Sequence, residues 1–407
     1  MLRGTLFGML GGTLFLLLCA CHKPEPLQPF EPQTGKDYGR PLPPGALALR
    51  KISPEDYPDF SGGFDNQAGL REAIAESLAY MAKPSSQRYF PYGDISHDRA
   101  VASLERFRQL LDEVHSGAEL DAAVRSEFDV YQSVGCDDCG TVYFTGYYCP
   151  IFDGRKQPDA RFRYPLYRLP PDLVKNEEGV TLGRRLRDGR LVPYPTRRQL
   201  EGHHLLKGGE LAWFKDPFEV YVASVQGSAK LKLEDGTTWQ LAYAGNNGYD
   251  YTPVSRKMIE DGVIGRNEVS LQNLLRYFAQ HPEDVQRYTW ENDRFIFFRE
   301  SPGEPVGSIN AVITPYRTLA TDKAVFPRAC LAFVNCKLPR VYEGELTQMP
   351  FRAFALDQDT GGAIRAAGKC DVYMGVGPRA EAIAGRTGAE GQLYYIFVRQ
   401  GGPETID

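Results

Sequence analysis

The texture of the chain changes near Gly140, and that change limits its fold more than any single motif. Before it, apolar residues recur at helical spacing. Leu70, Ile74, Leu78 and Met81 do so between Gln67 and Ala82, with Pro84 ending the run; Val101, Leu104, Phe107 and Leu111 do so between His97 and Val114. Leu120 to Tyr131 continues the pattern, so the front of the folded region is expected to be helical. After Gly140, Thr141-Val-Tyr-Phe-Thr-Gly-Tyr-Tyr is β-branched and aromatic, which predicts a strand. Phe218-Glu-Val-Tyr-Val-Ala-Ser-Val alternates and reads as another. Ala229-Lys-Leu-Lys-Leu and Trp239-Gln-Leu-Ala-Tyr flank a Glu234-Asp-Gly-Thr turn, a hairpin signature. Residues 153–200 are rich in Pro, Gly, Arg and Tyr, which suggests long loops and short strands. Helical spacing returns at 254–264 and 271–279, and after Arg294 the chain reads as strands again. Helices followed by strands, without regular alternation, exclude a doubly wound parallel sheet.

The N-terminus predicts export. Arg3 is a short basic region, and the mostly apolar run from Leu6 to Leu18 is too short to span a bilayer, which needs ~20 residues. Residues 1–20 read as a signal peptide. Its end, Leu18-Cys-Ala-Cys, resembles a bacterial lipobox with Cys21 as the lipidated residue; ordinary secretion with a spare thiol is the alternative. Acyl chains on Cys21 would anchor the chain to a membrane surface without spanning it. His22 rather than Asp follows, which favours the periplasmic face of the outer membrane. Seven prolines between residues 22 and 45 make 21–45 an extended tether.

The remaining length has room for two domains. A net charge of −5 without a basic block argues against a nucleic-acid partner. Six cysteines remain beyond Cys19 and Cys21: Cys136, Cys139, Cys149, Cys330, Cys336 and Cys370. An even set in an exported chain favours structural bridges. The Cys136-Asp-Asp-Cys139 pair could be half of a zinc site, but nothing completes four ligands, and no metal or other cofactor is expected. The chain has no Gly-x-Ser-x-Gly elbow; His203-His204 lacks the spacing of a helical metal motif, and Gly375-Val-Gly377 leads into proline rather than a dinucleotide fingerprint.

Three aspartates stand out. Asp359 opens a Thr-Gly-Gly turn, Asp371 heads the short apolar run Val-Tyr-Met, and Asp322 lies upstream in Leu319-Ala-Thr-Asp-Lys. Carboxylates at strand ends separated by Gly-rich turns can converge on one cleft, and such a cleft suits protonation of a glycosidic oxygen. Read singly, each can equally be a turn aspartate.

Taken together they resemble something specific. Asp359-Thr-Gly-Gly-Ala-Ile, Asp371-Val-Tyr-Met-Gly-Val-Gly and Ala320-Thr-Asp look like the three-aspartate (3D) domain of the MltA family, the membrane-bound lytic murein transglycosylases. Phe144-Thr-Gly-Tyr-Tyr-Cys-Pro, Val225-Gln-Gly-Ser, Tyr243-Ala-Gly-Asn-Asn-Gly-Tyr-Asp-Tyr and Asn292-Asp-Arg-Phe-Ile-Phe-Phe are similar to its other segments, in the same order.

The resemblance implies a mainly β protein with N-terminal helices. A double-psi β-barrel catalytic domain would form from 46–148 and 252–407, a smaller β domain would be inserted at 149–251, and the groove would lie between them. It implies a peptidoglycan lytic exotransglycosylase, a lyase that cleaves the β-1,4 MurNAc–GlcNAc bond of glycan strands and leaves 1,6-anhydro-MurNAc. In that reaction one carboxyl group serves twice, protonating the glycosidic oxygen and then accepting the proton of the attacking C6 hydroxyl. The family's catalytic aspartate falls on Asp371, and its second aspartate on Asp359. Asp322, the third, is expected to support the barrel loops beside the substrate rather than the chemistry. Thr145, Gly146 and Tyr147 would line one side of the groove, and Gln226, Gly227 and Ser228 the other. Asn246 stands where many members carry Lys or Gln, and can only hydrogen-bond. The residues by themselves also admit a non-catalytic peptidoglycan-binding lipoprotein or a hydrolytic muramidase. They do not separate exo from endo action, and they leave cell-wall synthesis or division proteins open as partners.

Overall fold

A computed structural model describes residues 35–177, 179–342 and 345–400. The signal peptide, Cys21 and the first part of the tether lie outside the described residues. Among those described, no helix is long and apolar enough to cross a membrane.

The first segment of the chain carries β1 (Leu49–Lys51), α1 (Leu70–Met81), α2 (His97–Glu113), α3 (Gly117–Glu127), β2 (Phe128–Ser133) and β3 (Val142–Cys149). Helix α2 begins where the Ser96 hydroxyl accepts from the Arg99 N–H, and its stripe Ala100, Leu104, Phe107 and Leu111 is buried. Phe107 meets Phe354 of the barrel with ring centroids 4.5 Å apart. Helix α3 stops at Glu127, short of the expected Tyr131, because Phe128-Asp-Val-Tyr joins the sheet as β2. Its aromatic and β-branched residues pair antiparallel with the last strand of the chain, which supplies ladder hydrogen bonds a helix would forgo.

The middle of the chain carries β4 (Ile151–Asp153), β5 (Tyr164–Tyr167), β6 (Leu173–Lys175), β7 (Thr181–Arg185), β8 (Leu191–Val192), α4 (Arg197–Gly202), β9 (Glu210–Phe214), α5 (Pro217–Gln226), β10 (Ser228–Lys232), β11 (Thr238–Asn246), α6 (Val254–Glu260), α7 (Leu271–Gln280), α8 (Asp284–Thr289) and β12 (Ile296–Ser301). The hairpin β10–β11 forms as its turn signature predicts. The alternating stretch 218–225, expected as a strand, is helix α5. Its caps decide the matter: the Asp216 carboxylate accepts from the Phe218 and Glu219 N–H groups, Pro217 sits at the first turn, and Gly227 closes the helix at φ 73°. Strand β12 pairs with β11 in the sheet β4–β10–β11–β12, and Phe218 of α5 stacks on Phe278 of α7 at 4.2 Å. This second unit therefore reaches Ser301, beyond the boundary expected near 252.

The last third carries β13 (Thr318–Ala320), β14 (Leu331–Tyr342), β15 (Glu345–Asp359), β16 (Lys369–Val376), α9 (Pro378–Ala384) and β17 (Gly388–Val398). Hydrogen bonding runs β17–β14–β15–β13–β16–β3, and a further β17–β3 pairing closes these six strands into the expected barrel. Phe144, Val334, Ala355, Val372 and Tyr395 fill its core.

Two further expectations fail. All six cysteines of the described region are free thiols, so no structural bridge is present. Cys149, Cys330, Cys336 and Cys370 are buried, acting as small apolar residues. The CxxC stretch is a turn in which the Asp137 carboxylate accepts from the N–H groups of Cys139 and Thr141. The tether also ends earlier than expected. Tyr38 stacks on Tyr143 at 4.7 Å and donates to Glu390 at 2.7 Å, so the segment from Lys36 onward is docked on the barrel.

Candidate active site

Strand alternation sorts the side chains of β3 and β16. Phe144 and Tyr148 on β3, with Cys370 and Val372 on β16, join the main core. Tyr143, Thr145 and Tyr147, with Lys369, Asp371 and Tyr373, share the opposite face. The parallel register sets Thr145 against Asp371 and Tyr147 against Tyr373. Across the barrel wall, Ala320 of β13 pairs with Asp371 on one side and Asp359 on the other. One rung thus runs Asp359–Ala320–Asp371–Thr145, with the two carboxylates about two strand spacings apart, ~10 Å.

A β-bulge puts Asp359 on that rung. Leu319 pairs with Asp357 and Ala320 with Asp359, which leaves Gln358 as the extra residue. Without it, alternation would keep Asp359 on the face of Asp357, which is fully buried; bulges re-aim side chains in this way. Gln358 turns instead to α1, where its amide donates to Ala73 O and Ser77 Oγ.

The two carboxylates differ in how their oxygens are used. Asp359 Oδ1 accepts from the N–H groups of Ser308 and Thr360, each at 2.8 Å, and Oδ2 accepts from the Tyr147 hydroxyl at 2.8 Å. Gly307 makes the Ser308 contact possible, because a Cβ on it would come within 2.6 Å of Gln358 O. Burial pushes the Asp359 carboxyl above its ordinary range, against the pull of these hydrogen bonds. Asp371 Oδ1 accepts from the Thr145 hydroxyl and from Lys369 Nζ, the latter at 2.7 Å. Its Oδ2 has no hydrogen-bond partner among the described residues. Asp371 therefore has one oxygen held and one available to a ligand, whereas Asp359 has both engaged.

The other candidates fall into place around this pair. Gly146 faces away from Thr145 and Tyr147, and a Cβ there would stand 2.8 Å from Ala384 Cα in α9; it is the close contact that seats β3 on that helix. Asp322 accepts from the N–H groups of Ala324 at 3.0 Å and Ala366 at 2.8 Å, closing the loop that follows Asp359. It also lines a cavity of about 740 Å³ formed with the docked 39–47 segment and Arg365. From the second unit, the Gln226 side chain accepts from Tyr148 N at 3.2 Å, tying α5 to β3. Gly227 is the helix cap, and Ser228 is buried at the start of β10. Asn246 donates to Tyr243 OH at 2.6 Å and accepts from Gly248 N at 2.8 Å, both within its own strand end and turn. None of these four hydrogen-bonds either carboxylate.

Sequence reading missed two lysines. Lys369 lies two residues before Asp371, and alternation alone would have put both on one face. Lys323 is buried and paired with Asp357, which also accepts from Thr321 Oγ1 and Tyr395 OH, each at 2.7 Å. Burial lowers the Lys323 ammonium from its usual range, and the adjacent carboxylate opposes that. The Thr321 carbonyl accepts from the Thr360 hydroxyl at 2.7 Å, so this buried pair braces the turn that carries Asp359. In the sequence Arg294 stands out only as part of the Asn292-Asp-Arg-Phe motif. Its guanidinium lies against Gly362 and donates to Tyr249 O at 2.7 Å, where the second unit meets that same turn.

A closed six-stranded barrel with a second β unit, presenting on one rung an aspartate with one oxygen unpartnered and an aspartate with donors on both, defines a β-barrel protein with a paired-carboxylate site. Residues 143–299 match the MltA specific insert domain, and residues 317–397 match the 3D domain. The membrane-bound lytic murein transglycosylase A of Vibrio cholerae is 30% identical over 282 residues, 68% of this chain and 71% of that protein. A membrane-bound lytic murein transglycosylase structure from Agrobacterium tumefaciens superposes with a TM-score of 0.72 at 25% identity, covering 87% of this chain and 98% of that one. The structure of E. coli MltA with bound chitohexaose has the same fold, with a TM-score of 0.64 at 21% identity over 92% of this chain and 100% of that one. The chain belongs to the MltA family of membrane-bound lytic murein transglycosylases. The insert match ends within β12, in agreement with the sheet β4–β10–β11–β12.

Proposed function

We propose that this chain, a peptidoglycan-cleaving lytic transglycosylase by family, breaks the β-1,4 MurNAc–GlcNAc bond and closes a 1,6-anhydro ring on the muramyl residue, with Asp371 as the single acid and base. The observation that carries the assignment is the division of oxygens: Asp371 Oδ2 has no hydrogen-bond partner among the described residues, while Asp359 gives both oxygens to Ser308, Thr360 and Tyr147. Asp371 would donate to the glycosidic oxygen as the C–O bond breaks. The C6 hydroxyl of the same sugar would then attack the anomeric carbon and return its proton to the carboxylate. A hydrolase needs a second carboxylate free to act as nucleophile or to activate water. Both oxygens of Asp359 already carry donors, which favours the intramolecular route. Its contribution is to hold Tyr147 and the 359–362 turn.

Digests of purified sacculi, analysed by mass spectrometry, test the reading. Muropeptides ending in 1,6-anhydro-MurNAc are the expected product; reducing ends would identify a hydrolase, and intact sacculi a binder.

We also infer that Cys21 carries the lipid that holds the chain on the periplasmic face of the outer membrane. Leu18-Cys-Ala-Cys, His22 and the prolines that follow support this. A palmitate analogue should label the protein in cells, and Cys21→Ala should abolish the label.

A further inference from the structure

We propose that Lys369 is the proton reservoir of Asp371: the two side chains share one proton, and covering the site with a saccharide moves it onto the carboxylate, creating the acid. The proposal rests on the assignment of Asp371 as acid and base given above. Lys369 and Asp371 sit two residues apart on one face of β16, with Nζ and Oδ1 2.7 Å apart and side chains 18% and 19% exposed. The Thr145 hydroxyl touches both groups, and Nζ lies 5.2 Å from the centre of the Tyr143 ring. This arrangement sets a puzzle for the mechanism. An ammonium in contact with a carboxylate favours the ionised form, whereas leaving-group protonation needs the neutral acid.

Counting protons on the pair resolves it. An ammonium with a carboxylate, and an amine with a carboxylic acid, hold the same single proton. Water favours the charged form because it hydrates both ions. A sugar laid over Oδ2 removes that water, and two poorly hydrated ions become costly relative to the neutral pair. Thr145 and Lys369 can keep their hydrogen bonds to Oδ1 in either form.

The cycle balances. One proton leaves Nζ and the carboxyl gains one. The carboxylic acid gives its proton to the glycosidic oxygen as the anomeric C–O bond breaks, and the departing sugar keeps it as a hydroxyl. The C6 oxygen bonds to the anomeric carbon, and its proton passes to the Asp371 carboxylate. When product leaves and water returns, that proton goes back to Nζ. No water or other reactant is consumed. The titratable groups that interact with the pair are Tyr143 and Tyr147 from β3 and Cys370 from β16, while β13 contributes none. Asp359 lies on the same rung of the barrel wall, two strands away.

The test is the pH–rate profile of the full chain on glycan strands from purified sacculi, for wild type, Lys369→Arg, Lys369→Met and Asp371→Asn. With a shared proton, the wild-type rate stays level across the range where isolated carboxyl groups are ionised, about pH 5 to 8. Arginine keeps the charge and the hydrogen bonds but does not surrender its proton. Both lysine variants should therefore lose rate steadily across that range, and be slowed on the order of 10²-fold at neutral pH. A Lys369→Arg enzyme with the wild-type profile would reduce Lys369 to a charge anchor and overturn the proposal. So would a wild-type rate that itself falls steadily across that range, a readout that needs no variant to fold. Failure of the Asp371 assignment is separate: it would show as activity retained by Asp371→Asn.

Discussion

The Tyr147 hydroxyl donates to Asp359 Oδ2 across 2.8 Å although their strands, β3 and β15, are separated in the barrel wall by β13 and β16. The phenol reaches past the rung that holds Asp371, so the two aspartates are linked through the barrel face rather than by contact. Tyr147→Phe removes this donor and leaves the buried Asp359 carboxyl with only its backbone partners. Turnover should fall by about tenfold, on the scale of a lost hydrogen bond to a charged group, while glycan binding is largely kept. Steady-state kinetics beside a binding isotherm would check this, and an unchanged rate would mean that Tyr147 plays no part in ordering the site.

Asp371→Asn keeps the shape of the side chain and can accept at Oδ1, but it cannot deliver a carboxylic proton. General acid–base work is typically worth ~10²–10⁴-fold, and this variant should show the upper end of that loss with an unchanged melting temperature. Asp359→Asn should be milder. If Asp371→Asn retains more than about a tenth of wild-type activity, well above that expectation, the acid lies elsewhere.

Stability should carry the signature of Asp359. Its folded pKa is raised by burial, so the folded state holds this proton more tightly than the unfolded chain does. The associated stability is fully present below the unfolded carboxyl value, about 3.9, and is lost as pH rises through the folded value. Differential calorimetry of wild type and Asp359→Asn between pH 3 and pH 8 should show the wild type losing melting temperature relative to the variant as pH rises. A constant difference would contradict the raised value.

The buried Lys323–Asp357 pair predicts strong non-additivity. Asp357→Leu strands an ammonium in the core and should cost ~3–5 kcal/mol. Joining Lys323→Met to Asp357→Leu removes both charges and should recover most of that loss. Denaturant unfolding of the two single variants and the double variant measures the coupling, and additive losses would refute it.

The free thiols can be counted. Of the six cysteines among the described residues Cys139 is exposed and the other five are buried, so of these six a thiol reagent should modify Cys139 alone in the native protein, and all six after denaturation without reductant. Peptide mapping assigns the sites. Any of the six that resists alkylation after denaturation would reveal a bridge.

The chain itself determines what depends on near neighbours in sequence. The apolar spacing of α1 and α2, the Asp235-Gly236 hairpin turn and the strand character of β3 follow from periodicity and turn chemistry within a few residues. The ordered motifs around Asp322, Asp359 and Asp371 were legible for the same reason. Even the misread stretch 218–225 carried its answer locally, in the Asp216-Pro217 start and the Gly227 stop, which outweigh an alternating pattern. Tertiary structure decided everything that required two distant segments to meet. The pairing of β2 with β17 ended α3 early, and the β11–β12 pairing extended the second unit to Ser301. The fold also left the six cysteines of the described region unpaired. The bulge at Gln358 turned Asp359 onto the face of Asp371, and barrel closure brought Tyr147 to one carboxylate and Thr145 to the other. Register and closure are set by ladders between residues up to hundreds of positions apart, and a bulge is visible only against its partner strand. For that reason the sequence could name the aspartates, but only the fold could show which of their oxygens is free.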